Sequence, residues 1–249
     1  MAEWWTLGPE AKHLVVSRGA MLYDASRAIN FSEGWFDPAF WATHGQVDGA
    51  APGRGTTLFV STRGKAFALR HYYRGGLPGK MLRDSYLYRG ALLTRPFREW
   101  CLTYQLHRHG LPVPAPVAAR FARDGVWYHG DLITERIDGA QSLGARITAG
   151  AVSIADWVAV GRCIRRFHDF GLYHADLNAN NLLFAGDGRV LLIDFDRSEL
   201  RARGLWCDTT LVRLRRSLLK ITDPLPAGHF TETDWQSLLA GYADARRDG

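Results

Sequence analysis

Apolar and polar positions follow a strand-like pattern in the first half of the chain and a helix-like pattern in the second half. The runs TTLFV and AFALRHY are rich in β-forming residues and flank the turn RGK at 63–65. The Pro-punctuated segment PVPAPVAARFARDG leads into another strand, and VWYHGDLITERI (126–137) follows after a turn at Arg123–Gly125. These runs predict short strands joined by tight turns.

Helical spacing of apolar residues first appears at 96–109, where Gly110 follows as a stop. It returns after about residue 138: Ser153 is a candidate N-cap for a helix that ends at Gly171. The segments LVRLRRSLLKI and TDWQSLLAGYADARR predict two further helices. Between these helices, the Asp-Gly turn in AGDGR separates the apolar runs NLLF and VLLIDF and predicts a hairpin.

Residues 1–45 are rich in aromatic side chains without a regular period. We expect this segment to be irregular, with most of its aromatic side chains in the core. The order of elements predicts an α+β chain with two lobes that connect near Glu135–Ser142. Residues 1–137 would form a small β-rich N-terminal lobe with an N-terminal extension, and residues 138–249 a mainly helical C-terminal lobe.

The composition of the 249-residue chain, with 47% hydrophobic and 22% charged residues, is that of a globular protein. The net charge of +6 favours anionic partners. The three cysteines stand in no metal-ligand spacing, which favours a reducing compartment. We expect neither a signal peptide nor a membrane span, so the protein would be soluble or bound to a membrane surface.

The segment YHADLNANNLLF (173–184) carries the chemistry that the sequence predicts most specifically. Asp176 is followed five positions later by Asn181, and the hairpin then returns the chain to Asp194 and Phe195. This order matches the protein-kinase pattern of a catalytic Asp, a metal-binding Asn and a second metal-binding Asp before Phe. Asn181 and Asp194 would hold Mg²⁺ through hard oxygen ligands, while Asp176 would accept a hydroxyl proton.

Asp and Asn also cap turns, which could account for one or two of these residues but not for the whole arrangement.

The first half of the chain also contains residues that fit the kinase pattern. Gly53 and Gly55 stand where a glycine-rich loop covers ATP phosphates, although an ordinary hairpin turn also fits. Arg70 replaces the usual phosphate-binding Lys, with Glu99 as its expected partner.

ITERI (133–137) occupies the position of the hinge that binds adenine, so backbone groups of Glu135 and Ile137 would contact the base. Other features depart from protein kinases. Asn178 replaces the Lys that follows the catalytic Asp-Leu, Asp196 replaces the Gly of D-F-G, and no A-P-E follows. We therefore expect a reduced activation segment and a small-molecule substrate.

Four stretches, YHADLNANNLL, LLIDFDRSELR, LRHYYRGGL and the pattern from Trp206 to Lys220, resemble the 3-deoxy-D-manno-octulosonic acid (Kdo) kinases of the lipopolysaccharide kinase family. The resemblance covers roughly residues 50–220 and implies a bilobal protein-kinase-like fold. It implies ATP-dependent, Mg²⁺-dependent phosphorylation of a Kdo hydroxyl, expected to be O-4, on a lipid A precursor. It also implies a peripheral location on the cytoplasmic face of a bacterial inner membrane, without nucleic acid as a partner.

This resemblance implies a function for two basic segments of the chain. Residues 70–98 contain seven Lys or Arg with Asp84 as the only acid, and residues 197–220 contain seven more. These side chains suit the Kdo carboxylate, lipid A phosphates and an anionic membrane, although any single Arg could be an ordinary surface charge. We name Arg74 and Arg197 as substrate ligands because they lie nearest to the motif residues in sequence.

Two alternatives remain from the residues alone. One is another small-molecule kinase, such as a heptose or aminoglycoside-type kinase. The other is a basic pseudokinase that serves as a scaffold, which the replacement of Lys by Arg70 weakly favours. The intact Asp176, Asn181 and Asp194 favour an active enzyme.

Overall fold

The computed structural model describes residues 7–51, 57–62, 64–73 and 84–244. The chain divides into two compact units. One unit lies within Met1–His107 and Pro114–Arg136, and the other within Arg108–Val113 and Ile137–Gly249.

An antiparallel sheet forms the first unit, in the order β1-β2-β7-β8-β5-β4-β3, with short β6 also paired to β8. Its strands are β1 (Ala11–Val16), β2 (Gly19–Asp24), β3 (Gln46–Ala51), β4 (Thr57–Thr62), β5 (Lys65–His71), β6 (Tyr86–Leu87), β7 (Pro116–Asp124) and β8 (Trp127–Glu135). The strands β4, β5, β7 and β8 confirm the sequence prediction, since each carries β-branched or aromatic residues between turn signals.

Residues 1–45 are not irregular where the structure describes them, so this prediction was wrong. The hairpin of β1 and β2 is followed by a 3₁₀ turn at Glu33–Phe36 and helix α1 (Pro38–His44). The expectation for the aromatic side chains is confirmed: Trp35, Phe36 and Trp41 are buried and pack around Phe67 of β5. Aromatic packing therefore fixes this segment onto the sheet.

Helix α2 (Arg95–Arg108) covers the sheet through Phe97, Trp100 and Tyr104. It ends next to Gly110, whose φ of 72° is in the left-handed region that glycine adopts readily. The structure confirms the helix and its stop. Its buried face also carries a charged residue, Glu99.

Helices dominate the second unit. They are α3 (Leu143–Ala149), α4 (Ile154–Phe170), α5 (Trp206–Thr222) and α6 (Glu232–Asp244). Ser153 caps α4 by accepting a hydrogen bond from the Asp156 N–H, and the left-handed Gly171 ends the helix, as predicted. The short helix α3 was missed.

Two small sheets accompany these helices. One contains β9 (Gln141–Ser142), β11 (Leu182–Phe184) and β12 (Val190–Leu192), and the other pairs β10 (Leu172–Tyr173) with β13 (Glu199–Leu200). The hairpin of β11 and β12 has the predicted Asp187-Gly188 turn, with Gly188 at φ 84°.

Helices α4 and α6 pack closely because each has a glycine at their contact. A Cβ atom on Gly161 would lie 2.0 Å from the Leu238 carbonyl oxygen, and one on Gly241 would lie 2.2 Å from the Val158 carbonyl oxygen. Neither position has room for a larger side chain without moving a backbone.

The three cysteines, Cys101, Cys163 and Cys207, are free and buried. Burial raises the pKa of the Cys101 thiol to about 12, and it does the same for Cys163. They act as small apolar residues of the core.

Together the described residues form a mixed α/β protein with antiparallel strands and six helices. Within those residues, none of the helices combines the length and the apolar character that a membrane span requires.

Candidate active site

The loop after β10 is held in place by His174. Its Nε2–H donates to the Ile193 carbonyl over 3.0 Å, and its Nδ1 accepts from the Asp176 N–H over 3.2 Å. These two bonds require a neutral imidazole, and burial lowers the pKa of His174. His174 thus connects the loop to the end of β12 and fixes the backbone of Asp176.

Two asparagines complete this loop. Asn181 Nδ2 donates to the Asp176 carbonyl over 2.9 Å, and Asn178 Nδ2 donates to both the same carbonyl and Asp176 Oδ2. Asn178 also accepts from the Asn180 N–H. The residue that replaces the usual Lys therefore orients the carboxylate of Asp176 directly.

Asp194 lies next to Asn181 because the Ile193 N–H donates to the Asn181 carbonyl over 3.0 Å. The backbone of Asp194 is left-handed, with φ 64°, a conformation that is uncommon for residues other than glycine. The following Phe195 is buried against Phe167 and His174. Packing of Phe195 stabilises the unusual backbone that presents Asp194 beside Asn181.

Asp176 has a cationic partner that the sequence did not predict. Arg213 of α5 donates from Nη1 to Asp176 Oδ1 over 3.0 Å. Both side chains are more than half exposed, 54% for Arg213 and 60% for Asp176. The carboxylate is thus oriented by Asn178 and Arg213 while remaining accessible to a hydroxyl group.

In the first unit, Arg70 and Glu99 form the ion pair that the sequence predicted. Glu99 is buried and also accepts a hydrogen bond from the Tyr72 hydroxyl over 2.5 Å. The Arg70 guanidinium is 4.8 Å from the centre of the Tyr72 ring. Burial, followed by the charge of Glu99, raises the pKa of Tyr72 well above its usual value, so the hydroxyl remains a donor.

Of the other residues predicted to bind ATP or the acceptor, some lie among the described residues and others do not. Glu135 ends β8, where its N–H donates to the Ala115 carbonyl and its side chain pairs with Arg27 over 2.6 Å; Ile137 follows two residues later. Gly53, Gly55 and Arg74 lie outside the described residues. The roles of all these residues in binding stay predictions.

Several arginines of the basic segment 197–220 form ion pairs, although their side chains are also exposed. Arg201, Arg203 and Arg215 pair with Glu199, Asp169 and Glu232. Arg197 is exposed and has a left-handed backbone, with φ 62°. Arg216 and Lys220 are exposed on α5. Pairing with nearby acids therefore neutralises several of the arginines that sequence alone grouped as ligands.

The donor set around Asn181 fits Mg²⁺. Because Asn181 Nδ2 is committed to the Asp176 carbonyl, its side-chain oxygen faces away from that bond. An amide oxygen and the adjacent Asp194 carboxylate are hard oxygen ligands, which Mg²⁺ prefers together with phosphate and water.

A loop with Asp176 and Asn181, a hairpin and an Asp-Phe pair in a mixed α/β chain is typical of kinases. The family model of the lipopolysaccharide kinase (Kdo/WaaP) family matches residues 38–242, and the chain belongs to that family.

The chain is similar to proteins named 3-deoxy-D-manno-octulosonic acid kinase. One from Actinobacillus succinogenes is 40% identical over 215 residues, which cover 84% of this chain and 89% of the relative. One from Photobacterium profundum is 42% identical, over 83% of this chain and 87% of the relative. One from Stenotrophomonas maltophilia is 43% identical, over 82% of this chain and 81% of the relative. The family resemblance seen in the sequence is thereby confirmed, and a kinase family implies ATP as a substrate.

Proposed function

We propose that the protein transfers the γ-phosphoryl group of ATP to a hydroxyl, expected to be O-4, of a Kdo residue on a lipid A precursor. The similarity of 82–84% of the chain to proteins named Kdo kinase is the observation that carries this proposal. The presence of Asp176, Asn181 and Asp194 in one hydrogen-bonded arrangement favours an active enzyme over a scaffold.

Asp176 is proposed to orient the acceptor hydroxyl and accept its proton. Three features support this role: the side chain is 60% exposed, its backbone N–H is bound by His174, and its carboxylate accepts from Asn178 and Arg213. Most of the catalytic effect in phosphoryl transfer comes from such positioning and from charge neutralisation.

Mg²⁺, when bound, would neutralise charge on the ATP phosphates, with Asn181 and Asp194 as its protein ligands. Arg70 is proposed to bind the α- and β-phosphates bidentately while Glu99 holds it in place. Gly53, Gly55 and backbone groups of Glu135 and Ile137 are proposed to complete the ATP site. Arg74 and Arg197 are proposed to bind anionic groups of the acceptor.

We further propose the finer architecture implied by the resemblance: a bilobal protein-kinase-like fold with lobes at 1–137 and 138–249. The acceptor lipid would bring the enzyme to the cytoplasmic face of the inner membrane as a peripheral protein. The net charge of +6 and the exposed Arg197, Arg216 and Lys220 support attraction to an anionic surface.

The proposal is tested by incubating the protein with labelled ATP, Mg²⁺ and a Kdo-bearing lipid A precursor. Asp176→Ala should lower transfer at least about 100-fold because proton acceptance and orientation are lost. The matched control is Asp187→Ala, which removes an exposed carboxylate from the hairpin turn and should leave the rate nearly unchanged.

The other outcomes distinguish the alternatives. Transfer to a heptose or to an aminoglycoside, without transfer to the Kdo lipid, would retain a kinase but contradict the proposed acceptor. Absence of Mg²⁺-dependent ATP binding in a thermal-shift titration would favour a scaffold. Arg70→Ala should sharply reduce turnover, and an unchanged rate would exclude Arg70 from the ATP site.

A further inference from the structure

Two histidines and an aspartate lie close together in the first unit. His71 Nε2 lies 3.3 Å from Asp84 Oδ2, and His129 Nδ1 lies 3.2 Å from the same oxygen. One ligand atom from each of the three residues lies within 4.8 Å of the others. The strands bring them together because β5 and β8 pair with His71 opposite Asp131, two residues from His129.

These distances fit a tetrahedral zinc site. With bonds of about 2.0–2.1 Å, neighbouring ligand atoms around zinc lie about 3.3 Å apart. The distances from Asp84 Oδ2 to His71 Nε2 and to His129 Nδ1, 3.3 Å and 3.2 Å, are close to that edge length. Two imidazole nitrogens with one carboxylate favour a transition metal over Mg²⁺ or Ca²⁺, which prefer oxygen ligands.

His129 gives a second, independent indication. Its Nδ1 is buried from solvent and makes no hydrogen bond with the described residues, although Asp84 Oδ2 lies nearby. A buried nitrogen without a hydrogen bond costs free energy, since its lost contact with water is not replaced. Most buried polar atoms in proteins therefore have a partner. A metal ion at the centre of the three residues would accept its lone pair.

The surroundings of His71 resemble those of a metal-bound histidine. Its other ring nitrogen, Nδ1, is 2.7 Å from Asp131 Oδ1. The buried Asp131 is held in turn by Arg120, which donates from Nε and Nη2 to Asp131 Oδ2 over 2.9 and 2.8 Å. A carboxylate behind a histidine fixes the ring so that the outer nitrogen points at the metal.

We propose that His71 Nε2, Asp84 and His129 Nδ1 bind one Zn²⁺ ion, with a fourth position open to water or another ligand. The ion would connect β5 and β8 to Asp84, which follows His71 by 13 residues. The test of this site requires no substrate.

The experiment uses the full chain without a histidine tag. The protein is stripped with a chelator and dialysed against Zn²⁺, and bound zinc is measured by elemental analysis. We expect one zinc per chain and a rise in the midpoint of thermal unfolding. Co²⁺ in place of zinc should give the visible absorption of a tetrahedral site.

Asp84→Asn and His129→Ala should each weaken zinc binding at least about 10-fold, because the first replaces an anionic carboxylate with a neutral amide and the second removes an imidazole. His44→Ala is the matched control, since His44 is exposed on α1 outside the cluster. Circular dichroism confirms that each variant is folded. Zinc well below one per chain, or binding that both ligand variants retain, would overturn the proposal.

Discussion

Arg213 Nη1 lies 3.0 Å from Asp176 Oδ1, so a cation on α5 orients the carboxylate proposed to receive the acceptor proton. The two residues are 37 positions apart in the chain. The pair is largely exposed, and its contribution is therefore modest and sensitive to salt.

Arg213→Ala should lower kcat/KM for the proposed transfer about two- to five-fold, the strength expected of an exposed ion pair. Steady-state rates at low and high salt measure it, and the difference from wild type should shrink as salt increases. Arg216→Ala removes the same charge from the same helix and serves as the control. Equal losses in both variants would show that general surface charge, not the contact with Asp176, is responsible.

Glu99→Ala should destabilise the protein by about 3 kcal/mol, because it removes the buried carboxylate that accepts from both the Arg70 guanidinium and the Tyr72 hydroxyl. Urea unfolding measures the change. Glu33→Ala, at an exposed carboxylate 3.8 Å from Arg120, should stay within about 0.5 kcal/mol of wild type. A similar small effect at Glu99 would mean that the ion pair is not coupled to folding.

His168 should make the protein less stable in acid. Its ring lies between the Tyr242 hydroxyl at 2.8 Å and the Thr210 hydroxyl at 3.1 Å, and burial lowers its pKa to about 4. The unfolded chain, with a histidine pKa of about 6.5, binds this proton first, so stability falls as the pH decreases from 6.5 toward 4.

The loss from His168 alone is about 2 kcal/mol between pH 7 and pH 5. Urea unfolding at both pH values measures it, and His168→Gln should remove this part of the difference. His44→Gln, at an exposed histidine, should leave the pH dependence unchanged. If His168→Gln retains the full slope, other groups cause the acid sensitivity.

Gly161→Ala should destabilise the contact of α4 with α6 by about 2 kcal/mol, because its methyl group would overlap the Leu238 carbonyl oxygen. Thermal or urea unfolding detects the change. Gly150→Ala is the control, since a Cβ atom there meets no described atom within 4 Å. An unchanged stability for Gly161→Ala would mean that α6 can shift at no cost.

Most elements could be predicted from sequence because their signals are local. Ser153 and Gly171 mark both ends of α4, and the Asp187-Gly188 turn sets the hairpin of β11 and β12. These residues act on their own backbone, so neither burial nor tertiary contacts are needed to interpret them.

The hairpin of β1 and β2 was missed because its apolar residues do not follow a strand period. Leu14 and Val15 are adjacent and both exposed, at 45% and 71%. Gly19 opens β2, where a Cβ atom would lie 2.0 Å from the Phe121 carbonyl oxygen of β7. That requirement depends on a strand about 100 residues later, which sequence alone does not reveal.

The candidate site likewise combines features that local sequence patterns predict with a feature that depends on tertiary packing. The order of Asp176, Asn181 and Asp194 is a local pattern that indicated their proximity. Pairing of Arg70 with Glu99 was predicted from the kinase pattern and is present. Arg213 was only one of several arginines in its segment, and its choice of partner depends on how α5 packs against the loop.

Burial of all three thiols has a practical consequence for experiments on this protein. Native Cys101, Cys163 and Cys207 should react slowly with thiol reagents, because none of the three sulfur-bearing residues is exposed. An introduced surface cysteine, such as Asp187→Cys in the exposed hairpin turn, would then be the preferred labelling site. Fluorescent or spin labels could follow ligand binding in the otherwise unaltered chain.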